Sequence, residues 1–489
     1  MSRQRDLTIL DAMADPKLFG RWFRDPSWRA WKAFLAALFG LPLRKAQLEL
    51  YRRHTGRRHP PRKPAREAWL PVGRRGGKSL IAALVAVFLA FFREYSKFLA
   101  PGERATVMVI AADRRQARVV FRYITGLIDH VPMLARMVEN RTRDAIDLTN
   151  RVTIEVHTCS YRAVRGYCVV AAICDEIAFW RSEDAANPDV EVLNGLRPGM
   201  ATIPGALLLA ISSPYARRGA LWEAHKKHYG KERDPILVWQ ADTRAMNPTI
   251  DKCTVAEAYE QDPAVAEADY GAKFRRDIER LFPREAVEAV TVPDRRELPP
   301  NHELQYVAFC DPSGGSEDSF TLAIAHLENG RSVLDAIRER RPPFSPDEVV
   351  SEFAALLRPY GINRVSGDRY AGEWPRERFR AHGILYEPAS KSKSEIYGEF
   401  VPLVNSERVE LLDHPKLFNQ VLGLERRVRH GGHSSIDHEP GGHDDLANVA
   451  AGVSIELLAP QEQEVMLEYQ EPVSISPDLD EADGFIPDW

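Results

Sequence analysis

The chain has 489 residues, with 66 Lys and Arg against 70 Asp and Glu, so its formal net charge is −4; 44% of it is hydrophobic and 28% charged. This composition excludes a collagenous, disulfide-scaffold or wholly disordered protein, and the length exceeds what one core usually serves, so two domains are expected. The longest apolar run, Leu80 to Phe92, is too short to span a bilayer and suits a buried helix, so no membrane segment is expected.

The opening MSRQRDLTILDAMAD lacks an apolar signal core, and no export signal is expected. Cys159, Cys168, Cys174, Cys253 and Cys310 lack CxxC spacing and read as reduced thiols. SWRAWKAFLAALFGLPL (27–43) reads as a packed amphipathic helix. YRRHTGRRHPPRKPAR (51–66) carries seven Arg and Lys and no acid. Standing just before a glycine-rich turn, that basic run suits phosphate contact.

From about Ala65 to Ala241, strand-like and helix-like segments alternate, the pattern of a parallel α/β sheet. The strands are expected at 68–72 (AWLPV), 106–112, 152–156, 168–174 (CVVAAIC), 206–212 (ALLLAIS) and 236–240. A helical patch is expected over 255–282, and the Pro- and charge-rich VPDRRELPPNHE reads as a linker. A second α/β unit then opens with a hairpin, QYVAFCD returning through PSGGSED to SFTLAIAH. RRVRHGGHSSIDHE reads as another hairpin, followed by a helix, LANVAAGVSIELL, whose Leu446, Val449, Ala450 and Val453 share one face. The last 29 residues, from Gln461, carry nine Asp and Glu and no base, which reads as a disordered or partner-binding tail.

Gly73-Arg74-Arg75-Gly76-Gly77-Lys78-Ser79 lies between a strand and the long apolar helix, the context in which backbone N–H groups and a helix N-terminus cradle phosphates. Lys78 would reach the β- and γ-phosphate oxygens of ATP and Ser79 would ligate Mg2+. The usual spacing places a glycine at position 72; here it is Val72, with Gly73 one residue late. The strand CVVAAICDE ends in Asp175, suited to the Mg2+ shell, and Glu176, suited to polarising the attacking water. The next strand ends in Ser212-Ser213-Pro214, placed to sense the γ-phosphate. Arg74, Arg75, Arg162, Arg165, Arg217 and Arg218 are candidates for a finger on the phosphoryl charge, with solvated or DNA-facing arginine as the plainer role for each.

A second acidic set stands at Asp311, Asp368 and the Asp444-Asp445 pair, with Asp318 a further candidate across the hairpin turn. Carboxylates from three elements would repel one another unless cations bind, and hard oxygen ligands suit Mg2+ or Mn2+. Two such ions roughly 3.5–4 Å apart would activate water and stabilise the leaving oxygen in phosphodiester cleavage. Asp445, adjoining the apolar face of its helix, is the preferred ligand, with Asp444 the alternative. His430, His433, His438 and His443 lack a cysteine pair or a helical HxxxH, so zinc is disfavoured and a solvated hairpin is the reading. Arg426, Arg427 and Arg429 could contact DNA.

In motif order and spacing, from roughly Arg66 to Leu458, the chain resembles the large terminase subunit of tailed bacteriophages. GRRGGKS is similar to that family's Arg-containing phosphate loop, CVVAAICDE with its VRGY lead-in to its metal-and-glutamate strand, and SSP to its coupling motif. Asp311, Asp368 and GGHDDLANVAAGV are similar to its nuclease pattern, with SKSKSEIYGEFVPLVNSERVELLDHPKL (390–417) similar to the Lys-containing stretch between the second and third acids.

The resemblance implies an ASCE-type P-loop ATPase domain with a parallel sheet, followed by an RNase H-like mixed-sheet nuclease domain. The expected bounds are 1–64 for an N-terminal helical and basic segment, in which residues 27–43 have an adenine-side or small-subunit contact as the alternative to a packed helix, 65–282 for the ATPase, 283–303 for a linker, 304–460 for the nuclease and 461–489 for the tail. It implies ATP with Mg2+ in the first site and two Mg2+ or Mn2+ in the second. The implied partners are double-stranded DNA, a portal protein, a small terminase subunit and further copies in a ring of five on the prohead, in the host cytoplasm. The alternatives are a host or defence ATP-dependent nuclease or helicase, and a DNA-binding assembly protein whose ATP site only switches conformation.

Overall fold

The computed structural model describes residues 7–160, 163–180, 188–315, 318–368, 374–428, 434–440 and 442–459. The acidic tail, Arg162, Arg429, His430 and His433 lie outside them.

The first unit is an eight-stranded sheet. Its strands are β1 (Glu67–Pro71), β2 (Ala105–Ala111), β3 (Val138–Arg141), β4 (Ala145–Leu148), β5 (Val152–Thr158), β6 (Cys168–Asp175), β7 (Leu207–Ser212) and β8 (Ile236–Val238), in the order β3-β4-β5-β2-β6-β7-β1-β8. From β5 to β8 every neighbour is parallel. Parallel strands covered on both faces must be apolar throughout, and every residue of β2, β6 and β7 is buried. One strand, β7, is inserted between the strand leading into the glycine loop and the strand ending in two acids. This is the ASCE arrangement of P-loop ATPases.

The six expected strands all form. The edge hairpin β3–β4 is not foreshadowed, because VENR alternates weakly and is largely exposed. Residues Lys78–Phe92 form a helix that is apolar almost all round and therefore buried. The N-terminal helices, among them Arg29–Leu38, share its core: Phe34 packs edge-on against Trp31 and Trp239.

The helical patch expected over 255–282 is corrected at its end. Helices occupy Lys252–Gln261 and Pro263–Asp269, but β9 (Ile278–Arg280) is a strand, because it pairs with a segment far downstream that local periodicity cannot reveal. That partner is β17 (Leu424–Val428), which also pairs antiparallel with β18 (Ser434–His438). The contact is reinforced from the first unit, where Tyr215 donates to Glu425 at 2.7 Å and Arg218 ion-pairs with both Glu425 and Glu439. Glu425 is fully buried, so its charge depends on these partners.

The second unit has β10 (Thr291–Val292), β11 (Tyr306–Asp311), β12 (Phe320–Glu328), β13 (Arg331–Arg340), β14 (Arg364–Gly367), β15 (Leu385–Pro388) and β16 (Val409–Leu412), in the order β10-β16-β13-β12-β11-β14-β15. β12 runs antiparallel to its neighbours β11 and β13, and β14 and β15 run parallel to β11. This is an RNase H-like sheet. The stretch after β10 lies along it, with Leu298 N–H donating to the Asp335 carbonyl and Arg295 paired with Glu410. Among the described residues no helix is long and apolar enough to cross a membrane.

The final helix, Asp445–Leu458, packs on this sheet, and its small residues set how closely. A Cβ on Gly452 would lie 2.6 Å from the Phe309 ring. Alanine gains about 1 kcal/mol of helix propensity, but overpacking a buried ring costs about 1–3 kcal/mol. Gly452→Ala is therefore expected to destabilise by about 1 kcal/mol, read as a lower urea midpoint.

In the same helix, burial pushes the Glu456 carboxyl up to about 7, against the hydrogen bond with Ser366 and the charge of Arg364. Its pKa is higher folded than unfolded, so ionisation costs stability as pH rises from about 4.5, and the cost is complete above about 7. Glu456→Gln should melt with the wild type at pH 4.5 and a few degrees higher at pH 8.

Candidate functional site

Two polar sites stand at the carboxyl ends of the two sheets, where strands hand over to loops and helices. At the first, Gly73 to Gly77 cross from β1 to the Lys78–Phe92 helix. Arg75 and Gly77 have φ of 59° and 93°, left-handed values that turn the loop tightly. The late glycine now has a reason. A Cβ at position 73 would lie 2.3 Å from the Thr243 hydroxyl, whereas Val72 is buried in the core.

Lys78 is buried, with its ammonium donating to the carbonyls of Val72 at 2.9 Å and Gly73 at 3.3 Å. It stands 3.5 Å from a Glu176 carboxylate oxygen. Ser79 follows in the first helical turn, half-buried.

Glu176 sits just beyond β6 with φ 48°, a costly conformation for a side chain and one that clusters at functional sites. Its Oε2 accepts from the Ser212 hydroxyl at 3.0 Å, the Ser213 N–H at 3.0 Å and the Ser213 hydroxyl at 3.4 Å. The acid and the Ser-Ser pair, read separately from sequence, are therefore in direct contact. Asp175 beside them is buried, and one of its oxygens has no hydrogen-bond partner. Burial and the neighbouring Glu176 push its carboxyl up from the usual range. A desolvated carboxylate with an unsatisfied oxygen is a fit for a hard cation.

Among the finger candidates, Arg74 and Arg75 are exposed, Arg74 pairing with Asp269 at 3.1 Å. Arg217 lies over the Trp222 ring, and Arg218 is committed to Glu425 and Glu439. Those contacts place Arg218 at the boundary between the two units.

The second site is a cleft of about 480 Å³ lined by Asp311, Asp318, Asp368, Asp444 and Asp445, together with Lys393, His438, His443 and Trp374. Asp311 ends β11, and Asp368 follows β14, whose Gly367 admits the Cys310 carbonyl and Tyr386 hydroxyl so closely that a Cβ would meet both at 2.4 Å. Asn448 donates to Asp311 Oδ2 at 2.7 Å. Desolvation, with smaller contributions from Asp368 and Asp445, pushes the Asp311 carboxyl up to about 7 despite that bond and the charge of Lys393. Asp318 is exposed at the rim.

The adjacent acids differ in surroundings. Asp444 is buried and held by Lys393 at 2.6 Å and the Tyr397 hydroxyl at 2.8 Å. Burial pulls the Lys393 ammonium down, but Asp444, together with Asp311 and Asp437, outweighs this and leaves it above the ordinary lysine value. Asp445 is buried too, yet its Oδ2 has no partner, and desolvation followed by repulsion from Asp444 raises its pKa.

Asp444 occupies the N-cap position, but neither carboxylate caps the helix with a side-chain hydrogen bond. Gln420 Oε1 takes the Leu446 and Ala447 N–H groups at 2.7 and 3.1 Å. That removes the ordinary explanation for acids at a helix start. Among the described residues, no three acidic, His or Cys side chains already form an ion cage. Three carboxylates facing one cleft repel one another without a counter-ion, and the orphaned Asp445 oxygen, the desolvated Asp311 and an all-oxygen donor set fit Mg2+ or Mn2+.

Sequence reasoning missed Lys393 and Tyr397 as individual residues, Asn448 and Gln420. Asn448 alone had a local signal, since it lies one turn beyond Asp444 and Asp445 and so shares their side of the helix.

No family model and no curated protein matches the chain. Among solved structures it is similar to the HK97 bacteriophage large terminase, at 17% identity and TM-score 0.35, over 80% of this chain and 91% of that one. It is also similar to the large terminase of thermophilic bacteriophage D6E in complex with ADP, at 12% identity and TM-score 0.37, over 81% and 95%. The large terminase nuclease of thermophilic phage G20c with bound magnesium matches 36% of this chain and 97% of its own, at 17% identity and TM-score 0.32. At these scores the likeness carries no functional weight.

Proposed function

We propose that the chain is the large terminase subunit of a tailed bacteriophage, a motor that drives double-stranded viral DNA into a prohead by ATP hydrolysis and cuts the concatemer with a metal-dependent nuclease. The observation that carries this reading is the pairing, in one chain, of a Lys78–Glu176–Ser212–Ser213 constellation on an ASCE sheet with a carboxylate cleft on an RNase H-like sheet.

In the first site, Lys78 would exchange its loop carbonyls for phosphate oxygens, Ser79 and Asp175 would hold Mg2+, and Glu176 would accept the proton of the attacking water. Ser212 and Ser213, bonded to that same carboxylate, would register its state and pass it along the chain toward Tyr215 and Arg218. In the second, Asp311, Asp368 and Asp445 would hold two Mg2+ or Mn2+ ions. When bound, these supply an activated water and a stabilised leaving oxygen. Asp444, braced by the buried Tyr397, orients Lys393 in the cleft wall, and Lys393 would bring positive charge to a cut strand's phosphate. The partners that follow are a portal protein, a small subunit and further copies in a ring, probed in the host cytoplasm where the prohead is filled.

The rival reading, an ATP-switched DNA-binding protein, differs in one measurable way. With ATP, the protein should displace a triplex-forming oligonucleotide from linear duplex DNA when assembled on a portal, and Glu176→Gln should not. Triplex retention by the assembled wild type would remove translocation from the account.

A further inference from the structure

The phosphate loop is held from outside by three side chains that no nucleotide-loop signature contains. The Thr243 hydroxyl donates to the Arg74 carbonyl at 2.7 Å, Asn247 Nδ2 to the Arg75 carbonyl at 2.9 Å, and Trp31 Nε1 to the Gly76 carbonyl at 2.8 Å. The three acceptors are consecutive, and the three donors come from two distant parts of the chain. Trp31 belongs to the N-terminal helix Arg29–Leu38, and Thr243 and Asn247 begin and follow the short helix after β8.

The donors are themselves fixed. Trp31 and Thr243 are buried, Trp31 packs against Phe34, and the Thr243 N–H is tied to the Tyr270 carbonyl at 2.8 Å. The same wall supplies the Asp269 carbonyl that receives the Arg74 N–H, and the indole of Trp28 closes over Gly77.

The geometry has a direct consequence. In a planar trans peptide, a carbonyl and the N–H of the next residue point to opposite sides. Drawing the carbonyls of Arg74, Arg75 and Gly76 outward turns the N–H groups of Arg75, Gly76 and Gly77 the other way, with Gly76 N–H closing back on the Gly73 carbonyl at 3.2 Å. A phosphate cradle needs its amides so directed before the ligand arrives, since ordering them on binding would cost affinity.

We propose that Trp31, Thr243 and Asn247 are positioning residues of the ATP site, which hold the loop carbonyls outward so that its amides are aligned for phosphate oxygens. The proposal rests on the ATP-site reading above. It makes the N-terminal segment part of that site rather than an appendage. It also explains why glycine is required at 73, where the Thr243 hydroxyl would meet any Cβ.

The test uses the full chain and MgATP, with Kd, KM and kcat measured for Trp31→Phe, Asn247→Ala, Thr243→Val and Thr243→Ser. One lost hydrogen bond is expected to weaken ATP binding and raise KM about 2- to 10-fold, with kcat nearly unchanged, because ground state and transition state use the loop alike. Thr243→Ser, which keeps the hydroxyl, is expected to bind like the wild type. Asn247 is only half-buried and lies outside the core, so its truncation tests the idea with the least disturbance of the fold, at the loss of its local bonds to Thr249. Unchanged Kd and KM in all three truncated variants, or Thr243→Ser failing as Thr243→Val does, would overturn the positioning role while leaving the ATP site intact. If instead the wild type bound no MgATP, or bound it no better than Lys78→Ala, the ATP-site reading and this proposal would fall together.

Discussion

Asp311→Asn should abolish DNA cleavage and, without divalent ions, raise the melting temperature. The substitution keeps the shape of the side chain and its bond to Asn448 but removes the charge. Removing residues that only orient metal ligands typically costs 10- to 100-fold, so loss of a ligand charge at the centre of the cluster should cost at least about 100-fold in cleavage.

The stability change runs the other way. Asp311 is desolvated and faces Asp368 and Asp445, so the ion-free protein carries like charges in one cleft with little water to screen them. Neutralising one relieves that repulsion. In EDTA at pH 8 the variant should melt a few degrees above the wild type. Added Mn2+ should raise the wild-type melting point and leave the variant's nearly where it was. A variant that cleaves DNA normally, or that gains as much from Mn2+ as the wild type, would remove Asp311 from the metal site.

Glu176→Gln should cut ATP hydrolysis about 10²- to 10⁴-fold, the usual contribution of a positioned general base, while ATP binding persists. The glutamine oxygen can still accept from the Ser213 N–H and the Ser212 hydroxyl, so the loop around it should stay in place. What it loses is proton affinity and the attraction of Lys78 at 3.5 Å. Stopped turnover with retained nucleotide would separate the base from the phosphate loop. Turnover within a few-fold of the wild type would assign the base elsewhere.

The parts of this molecule that could be read from sequence are those whose cause is local. β6 is apolar for its whole length because it is buried on both faces, and the two acids at its end stand out against that run. The hairpin β11–β12 announced itself by two apolar runs around a glycine turn, and the helix that starts at Asp445 by the spacing of its apolar and small residues. Long-range contacts left no such mark. β9 looks helical until its partner at Glu425–Arg427 is known, and the exposed edge strand β3 lacks the alternation of a half-buried strand.

The same division runs through the sites. Asp175, Glu176, Ser212 and Ser213 were each visible at a strand end, but that the serines grip the Glu176 carboxylate follows only from β7 lying beside β6. Trp31 reads as part of a packed helix and Thr243 carries no local signal; their hold on the phosphate loop arises only when distant segments fold against it. Asp444 and Asp445 are neighbours of one residue type, and their difference comes from Lys393, Tyr397 and Gln420 around them.

Two separable activities in one chain are best tested by one crossed measurement. Supercoiled plasmid with Mn2+ and ATP is incubated with wild type, Glu176→Gln and Asp311→Asn, and nicking and phosphate release are followed in the same tubes. The wild type should do both, Glu176→Gln should nick the plasmid without releasing phosphate, and Asp311→Asn should release phosphate without nicking. If both variants kept both activities, or each lost both while still folded, the assignment of hydrolysis to one sheet and cleavage to the other would be contradicted.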